Sequence, residues 1–467
     1  MRLPQLPEFD LKVTSEQHAQ FAKLSGDFNP LHTDPEFARR SQFGTTVVHG
    51  VHVVLRILDR IALIDPRSLQ ELVVEFRAPV RPESEVSVDL TISGNTVSVK
   101  ALQNDVVVTK MNGVLEIPVK NHPEIPDIEH FESGVAPERT WEDSNRQFKV
   151  SETVGHQKHL SSVLFPELTK RDRLAEIDVL LAVTRVIGMK CPGRYALLRS
   201  LTLHRTDSGQ LGEHRFHLKD LDSRMRLVRL SVSSTSFTGV VEAHHRRPHV
   251  RQSIDDQSRS LLTESPFAGM RALIVGGSRG LGELAARAIV AGAGEVLVTY
   301  SRGRSDSLEL QRELGEAVKI VQLDVFVPTQ EFLDVSGKFL PTHLLYFASP
   351  QIMFRGAAPW DNELFARFCS FYVDKFAWLM QLADFEGVYT PSSSFVTSQE
   401  FGYREYVGAK SKLEEFCESI QTARPGIRVV CDRLPPLATD QNSGLFASMP
   451  DSNLPTLLPS IMKLIEV

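Results

Sequence analysis

The sequence predicts an α+β module built on one long apolar helix and several alternating strands, a second and weaker copy of that module, and then an α/β doubly wound parallel sheet. Three observations carry this expectation. Val51 to Ile64, VHVVLRILDRIALI, has apolar residues at helical spacing and contains neither glycine nor proline. Strand-like alternation follows in LQELVVEFRAPV, EVSVDLTISG, TVSVKALQ and VVVTKMNGVLEI. Much further on, MRALIVGGSRGLGELAARAIVAGAGEVLVTYSRG reads as strand, glycine-rich turn, helix and strand, which is one βαβ unit. The expected domains are residues 1–120, 140–250 and 265–467.

Length and composition set the limits. A chain of 467 residues with 42% hydrophobic and 24% charged residues is an ordinary globular protein of two or three domains. The formal net charge of -6 argues against a nucleic-acid partner, which calls for a concentrated basic face. The local run His244 to Arg247 reads as solvated linker. Cys191, Cys369, Cys417 and Cys431 lie far apart with no C-x-x-C pair, so neither a metal site nor a disulfide framework is expected, and a reducing cytoplasm fits. The N-terminal MRLPQLPEFDLKV lacks the apolar core of a secretory signal, and no run approaches membrane-spanning length. A soluble cytoplasmic protein with no membrane partner is expected.

The chemistry of the first module concentrates in Leu24 to Gly50, LSGDFNPLHTDPEFARRSQFGTTVVHG. Asp27, Asn29 and His32 fall in one turn-rich stretch, where Pro30 disfavours helix at Asn29 and aims acid and imidazole from a loop into shared space. Such a pair can position a water and move its protons. The plain alternative is that Asp27 caps a helix and His32 packs or is solvated. The run SGDFNPLH, with Asp34, Ala38, Phe43-Gly44 and His49-Gly50, resembles the signature of the (R)-specific enoyl-CoA hydratases, the MaoC-like hotdog family. The resemblance covers about the first 120 residues and implies a helix wrapped by an antiparallel sheet. It also implies that Asp27 and His32 are catalytic, that Asn29 supports them, and that the Gly50 amide at the helix N-terminus receives an enolate-like oxygen.

Two seams divide the remainder. Pro118 to Asp143 is rich in proline, glutamate and histidine and reads as a linker. Arg146 to Ala243 then repeats the first module's order, with a helix at Leu174 to Met189 and strands near Tyr195 to Arg205, Glu213 to Leu218 and Leu227 to Ser233, but without the SGDxNPxH motif. His156 and His159 are either a catalytic remnant or exposed loop residues. The family resemblance gives this copy a purpose: it covers the sheet edge and walls the acyl channel. The second seam is His244 to Phe267.

After that seam, Gly276, Gly280 and Gly282 punctuate the turn GGSRGLG, where glycine admits a pyrophosphate to the backbone and the following helix N-terminus favours its charge. The turn, with Tyr406-x-x-x-Lys410 and Ser393 thirteen positions before the tyrosine, resembles the short-chain dehydrogenase/reductases of the 3-oxoacyl-thioester reductase branch. The full expectation is thus an α+β double hotdog followed by an α/β Rossmann-type doubly wound parallel sheet. The resemblance implies cofactor contacts at Gly276, Ser278, Arg279, Gly280, Leu281 and Gly282 in the turn. It adds Ser301 and Arg302 after the second strand, Asp324 and Val325 after the third, Ala348 in FASP, and Tyr406 and Lys410. Tyr406 is the expected proton donor, Lys410 one turn on lies on the same face, and Ser393 holds the carbonyl, with Ser392 and Ser394 as neighbouring alternatives. Two departures stand out: Tyr372 falls where the family's helix asparagine is expected, and LPTLLPSIMKLIEV stands where a seventh strand is expected.

Arg302 after the second strand and Arg279 in the turn suit a 2'-phosphate, so NADPH is the expected cofactor. The two resemblances join on one intermediate, because a reductase of this branch makes the (R)-3-hydroxyacyl thioester that the hydratase interconverts with the enoyl thioester. The expected function is a 3-oxoacyl-thioester reductase and dehydratase in fatty-acid or polyketide-type synthesis. The alternatives are a hydratase and dehydrogenase of acyl-CoA breakdown, and an acyl-carrier binding module with one or both sites inactive. Expected partners are an acyl-CoA or acyl-carrier-protein thioester and, as an option, a second copy of the chain.

Overall fold

The computed structural model describes residues 8–117, 134–144, 148–152, 157–206, 213–249, 251–254, 259–440 and 452–466. They fall into two compact units, one running to Pro248 and one starting at His249.

The first unit opens with β1 (Phe9–Lys12), α1 (Ser15–Ser25), and two short helices, α2 (Pro30–Thr33) and α3 (Pro35–Arg39). Then come α4 (Gly50–Ile64) and strands β2 (Ser68–Phe76), β3 (Glu85–Ser93), β4 (Thr96–Gln103) and β5 (Val106–Glu116). Its second half has α5 (Trp141–Ser144), β6 (Lys149–Glu152), α6 (Lys158–Leu164), α7 (Pro166–Lys170) and α8 (Leu174–Met189). It closes with β7 (Ala196–Arg205), β8 (His214–Asp222), β9 (Leu227–Ser233) and β10 (Phe237–His245). Alternation explains the strands: β3 exposes every other residue and buries Val86, Val88 and Leu90.

All ten strands form one antiparallel sheet in the order β1-β3-β4-β5-β2-β7-β10-β9-β8-β6. The order reads the same from both ends under exchange of the halves, and the join is the β2–β7 pair, with Glu71 opposite His204 and Glu75 opposite Ser200. A hotdog repeat is therefore present twice and shares a single continuous sheet. The apolar helices α4 and α8 and the inner faces of strands from both halves make up one hydrophobic core.

The second unit carries β11 (Arg271–Val275), β12 (Glu295–Tyr300), β13 (Val318–Gln322), β14 (His343–Tyr346), β15 (Gly387–Tyr389), β16 (Ser392–Ser393) and β17 (Arg428–Val430). Six of these form a parallel sheet ordered β13-β12-β11-β14-β15-β17, which is the doubly wound order with its reversal between β11 and β14. The sheet is buried under helices on both faces, so its strands are nearly continuous apolar runs such as RALIV and HLLY. The chain's last segment forms the helix Leu454–Met462, whose Leu454, Leu457, Leu458 and Ile461 are buried against this core.

The sequence expectation is corrected at two places. His244 to Arg247 is not solvated linker, since β10 extends through His245 and buries His244, His245 and Arg246. The polar residues masked this strand because their partners are backbone carbonyls: His244 Nδ1 meets Met225 O at 3.0 Å and His245 Nε2 meets Arg139 O at 2.8 Å. Asn29 keeps the non-helical backbone expected before Pro30 (φ -52°, ψ 128°), but His32 lies in the short helix α2 rather than on open loop, because proline is well placed in a first turn that needs no N–H from it.

Candidate active sites

In the first unit, α1 ends at Gly26 in the left-handed conformation (φ 66°), and this turn delivers Asp27 beneath α4. Asp27 caps no helix; Asn29 caps α2 and Asp34 caps α3. The Asp27 carboxylate is 1% exposed and is held from both halves of the unit. Its Oδ1 accepts the Asn29 N–H at 3.2 Å, and its Oδ2 accepts the Thr184 hydroxyl of α8 at 2.6 Å. Asn29 also spans the halves, donating Nδ2 to the carbonyls of Gly188 at 3.0 Å and Gly193 at 3.1 Å. Gly188 is required by closeness: a Cβ there would lie 2.1 Å from Asp27 Oδ1.

One imidazole, His49, stands beside this carboxylate with Nε2 3.7 Å from Oδ2, and two more, His32 and His18, pack around His49. His32 donates Nδ1–H to Val47 O at 2.7 Å, which leaves the Nε2 lone pair available. His49 is fully buried, hydrogen-bonds Asp27 O through Nε2 at 3.0 Å, and stacks on His32 with centroids 3.8 Å apart. His18 donates Nε2–H to His32 O at 2.9 Å. Burial pushes the Asp27 pKa up to about 7, with the Thr184 and Asn29 hydrogen bonds opposing the rise. Burial drives His32 down to about 3, with the Val47 hydrogen bond opposing the fall and the nearby His18 and Arg246 disfavouring a further positive charge; the residue is half-buried. His18, His32 and His49 bring one ligand-type atom each within 4.8 Å of one another. The His32–His49 stack, tilted by only 26°, keeps their in-plane lone pairs from converging on one ion.

Gly50 is the first residue of α4, and no side chain caps this helix at His49. Any Cβ on Gly50 would meet the Phe76 ring at 2.7 Å, so a larger residue at the start of α4 would have to displace that ring. Of the two histidines left open by sequence, His159 lies exposed on α6, and His156 falls outside the described residues.

In the second unit, the glycine turn follows β11 at the switch point. Gly276 (φ 80°) and Gly280 (φ 60°) need the left-handed region. A Cβ at Gly276 would meet Ala348 N at 2.9 Å, and one at Gly282 would meet Gly276 O at 2.4 Å. Backbone from β11 and β14 therefore forms a cradle that side chains would fill, which fits a pyrophosphate against the N-terminus of the Gly280–Ala291 helix. Ser278 and Leu281 border this turn half-buried. Ser301 and Arg302 are exposed after β12, Asp324 is exposed and bonds the Phe326 N–H at 3.0 Å, and Val325 is buried beneath it. Arg279 pairs with Asp440 at 3.1 Å.

Ser393, Tyr406 and Lys410 converge. Ser393 is the serine that shares a hydrogen bond with Tyr406, whereas Ser392 is bonded to Glu414. Burial raises the Tyr406 pKa, and the Ser393 bond opposes this. Lys410 is 5% exposed, donates to Pro391 O at 2.7 Å, and sits 3.9 Å above the ring of Tyr372. Tyr372 belongs to a π-helical turn, Ser370–Asp374, and its hydroxyl meets Ser349 Oγ at 2.7 Å. A phenol thus stands where the family resemblance implies an amide. Burial lowers the Lys410 pKa to about 8. The thiols of Cys417 and Cys431, remote in sequence, are hydrogen-bonded to each other beside this lysine.

Sequence reasoning missed His18, Thr184, Gly188 and Arg246. Thr184 and Gly188 did leave a signal, a hydroxyl and a glycine four residues apart on one face of an otherwise apolar helix. His18 leaves none, because its role depends on how α1 packs.

Residues 3–114 match the family described as MaoC like domain. Over 94 residues the chain is 34% identical to peroxisomal multifunctional enzyme type 2 of Drosophila melanogaster, covering 19% of this chain and 16% of that protein. Over 104 residues it is 34% identical to the peroxisomal hydratase-dehydrogenase-epimerase of Saccharomyces cerevisiae, covering 22% of this chain and 10% of that protein. It is 58% identical over 33 residues to the (R)-specific enoyl-CoA hydratase of Aeromonas caviae, 7% of this chain and 25% of that enzyme. The chain therefore spans well under two thirds of each of these relatives. A short chain dehydrogenase of Escherichia coli CFT073, solved with NADPH, aligns with 44% of this chain and 94% of its own at 15% identity and a TM-score of 0.39.

Proposed function

We propose, taking as premise the MaoC-like domain that residues 3–114 carry, that the first unit interconverts trans-2-enoyl and (R)-3-hydroxyacyl thioesters. The observation that carries this is geometric: the buried Asp27 carboxylate, held by the Asn29 N–H and the Thr184 hydroxyl, lies 3.7 Å from His49 Nε2, and His32 is stacked on His49 with its Nδ1–H given to Val47 O. Burial favours the neutral form of both the acid and the imidazole. In hydration, His32 Nε2 takes a proton from the attacking water as oxygen bonds C3, protonated Asp27 delivers a proton to C2, and the proton gained by His32 then passes back to Asp27 to restore both groups. In dehydration the two exchange roles. Gly50, at the uncapped start of α4, faces the oxygen that becomes enolate-like, and Asn29 holds the Asp27 loop against α8. On this reading residues 1–120 supply the chemistry, residues 140–250 supply support and wall, and residues 265–467 form a separate reductase.

The second unit is read as a 3-oxoacyl-thioester reductase that takes NADPH. The cofactor supplies a hydride when bound. Gly276, Ser278, Gly280, Leu281 and Gly282 would hold its pyrophosphate, Asp324, Val325 and Ala348 its adenosine and nicotinamide sides, and Ser301 with Arg302 the 2'-phosphate. Arg279 would join them while sharing its guanidinium with Asp440. Ser393 orients the substrate carbonyl, Tyr406 protonates the oxygen, and Lys410 holds the ribose. Reduction then feeds dehydration, as in acyl chain synthesis on CoA or an acyl-carrier protein. The opposite direction is favoured by one observation: the relatives named above include a peroxisomal hydratase-dehydrogenase-epimerase. That second reading also moves the compartment from cytoplasm to peroxisome. No helix among the described residues is long and apolar enough to cross a membrane.

The test incubates the full chain with NADPH and a short 3-oxoacyl thioester, and separately with NAD and a trans-2-enoyl thioester, following nicotinamide absorbance and product mass. Consumption of NADPH with a dehydrated product supports synthesis; production of NADH with a 3-oxo product supports breakdown. Asp27→Ala or His32→Ala should cut hydration by about 10²- to 10⁴-fold and leave carbonyl reduction intact. Retention of most of the hydration rate in either variant would remove the catalytic assignment.

A further inference from the structure

Arg246 follows β10 directly, and its backbone N–H donates to Tyr195 O at 2.8 Å. The strand pairing places His245 opposite Ala196 and His244 opposite Leu197. Leu197 packs with Leu31, Ala38, Phe43 and Val47, the small core that frames His32, whose Nδ1–H is received by Val47. The backbone thus fixes Arg246 beside the hydratase loop. Its charge disfavours protonation of His32, in the same direction as the dominant effect of burial.

The guanidinium is anomalous in this setting. Arg246 is 3% exposed, and its Nε and Nη2 have no hydrogen-bond partner among the described residues. Among the described residues it forms no ion pair; the nearby Tyr195 phenol, whose pKa burial pushes up to about 12, is neutral and donates to Glu138 at 3.0 Å. A buried arginine is ordinarily paired, because removing the charge from water without a counter-ion is costly. The planar fork with two idle N–H directions matches a carboxylate edge.

We propose that Arg246 is an anion subsite of the hydratase centre and that its ligand is a carboxylate carried on a short acyl chain of the enoyl thioester. The proposal rests on the hydratase reading and narrows its substrate class. A phosphate of the carrier is the other anion at hand, but the pantetheine arm separates it from the thioester, whereas Arg246 lies against the loop of His32. The reaction balances as a hydration: water oxygen bonds C3, its proton passes to His32, C2 gains a proton from Asp27, the proton on His32 returns to Asp27, and the carboxylate leaves unchanged. Nothing is oxidised or reduced.

The experiment compares three thioesters on the full chain: 3-carboxyacryloyl-CoA, its methyl ester, and crotonyl-CoA. The wild type should prefer the free acid to the methyl ester by about tenfold to a hundredfold in kcat/KM, the range of a charge-assisted hydrogen bond. Arg246→Met should bring that ratio to about one, and Arg246→Lys should retain part of it. Equal turnover of acid and ester by a wild type that hydrates crotonyl-CoA overturns the proposal. Turnover of none of the three removes the hydratase reading itself. If Arg246→Met raises KM for every CoA thioester but not for the matching pantetheine thioesters, the guanidinium serves the carrier phosphate and the acyl assignment falls. Should Arg246→Met fail to fold, as judged by thermal unfolding, the acid-to-ester ratio of the wild type decides alone.

Discussion

Thr184 Oγ1 donates to Asp27 Oδ2 at 2.6 Å, so the carboxylate that carries the first unit's motif is held by a residue 157 positions away in the half that lacks it. The bond favours the ionised acid and opposes the effect of burial. Thr184→Val removes the donor while keeping the shape. Asp27 should then hold its proton to higher pH. The wild-type hydration rate is expected to decline above about pH 7 as Asp27 ionises, and in Thr184→Val that decline should begin roughly one unit higher. A pH profile of kcat/KM on crotonyl-CoA checks this, and an unmoved limb would mean that Asp27 is not the group that titrates.

Gly188→Ala tests the same contact by steric means. The new methyl would overlap Asp27 Oδ1, only 2.1 Å from the ideal Cβ, so the carboxylate or the helix must give way. The expected cost is about 1–3 kcal/mol of stability together with a large loss of hydration. Thermal unfolding and hydratase assay report the two separately. Unchanged values for both would place α8 further from Asp27 than described.

Lys410 and Tyr372 offer a pH test in the second unit. The ring face 3.9 Å from Nζ stabilises the ammonium by about 0.5–2 kcal/mol against the burial that lowers its pKa to about 8. A lysine with a lowered pKa loses its charge as pH rises through that value, so reduction should weaken above about pH 8. Tyr372→Leu should move that weakening to lower pH, and Tyr372→Phe, which keeps the ring, should not. Identical profiles for the two variants would show that the cation–π contact has no part in holding the charge.

Arg302 is exposed after β12. Arg302→Glu should move preference from NADPH toward NADH by tenfold to a hundredfold in Kd. Arg279→Ala should have the smaller effect, because its guanidinium is already engaged by Asp440. Titration of both cofactors against both variants distinguishes them, and a wild type that prefers NADH would leave the basic residues as solvated turn.

Much of this architecture was legible in the chain because the period of the apolar residues reports the element directly. The expected helix Leu174 to Met189 and the strand Leu227 to Ser233 coincide with α8 and β9. β10 was hidden because His244, His245 and Arg246 are buried by polar rather than apolar partners, and side-chain polarity then misreports burial. The loop of Asp27 and His32 was legible from local spacing. Its supports were not, since Thr184, Gly188 and His18 reach it only through the packing of α8 and α1. In the second unit, Ser393 could not be separated from Ser392 by counting; the competing bond to Glu414 separates them.

The shared sheet and the crossing bonds change what a duplicated half is free to do. Having no SGDxNPxH motif, the later copy looks at liberty to drift, yet a hydroxyl at Thr184 and the missing side chain at Gly188 are dictated by the earlier copy's acid. A homologue with every motif residue intact but a bulky residue at the position of Gly188 would be a silent hydratase. Inspecting the first 120 residues alone would not reveal it.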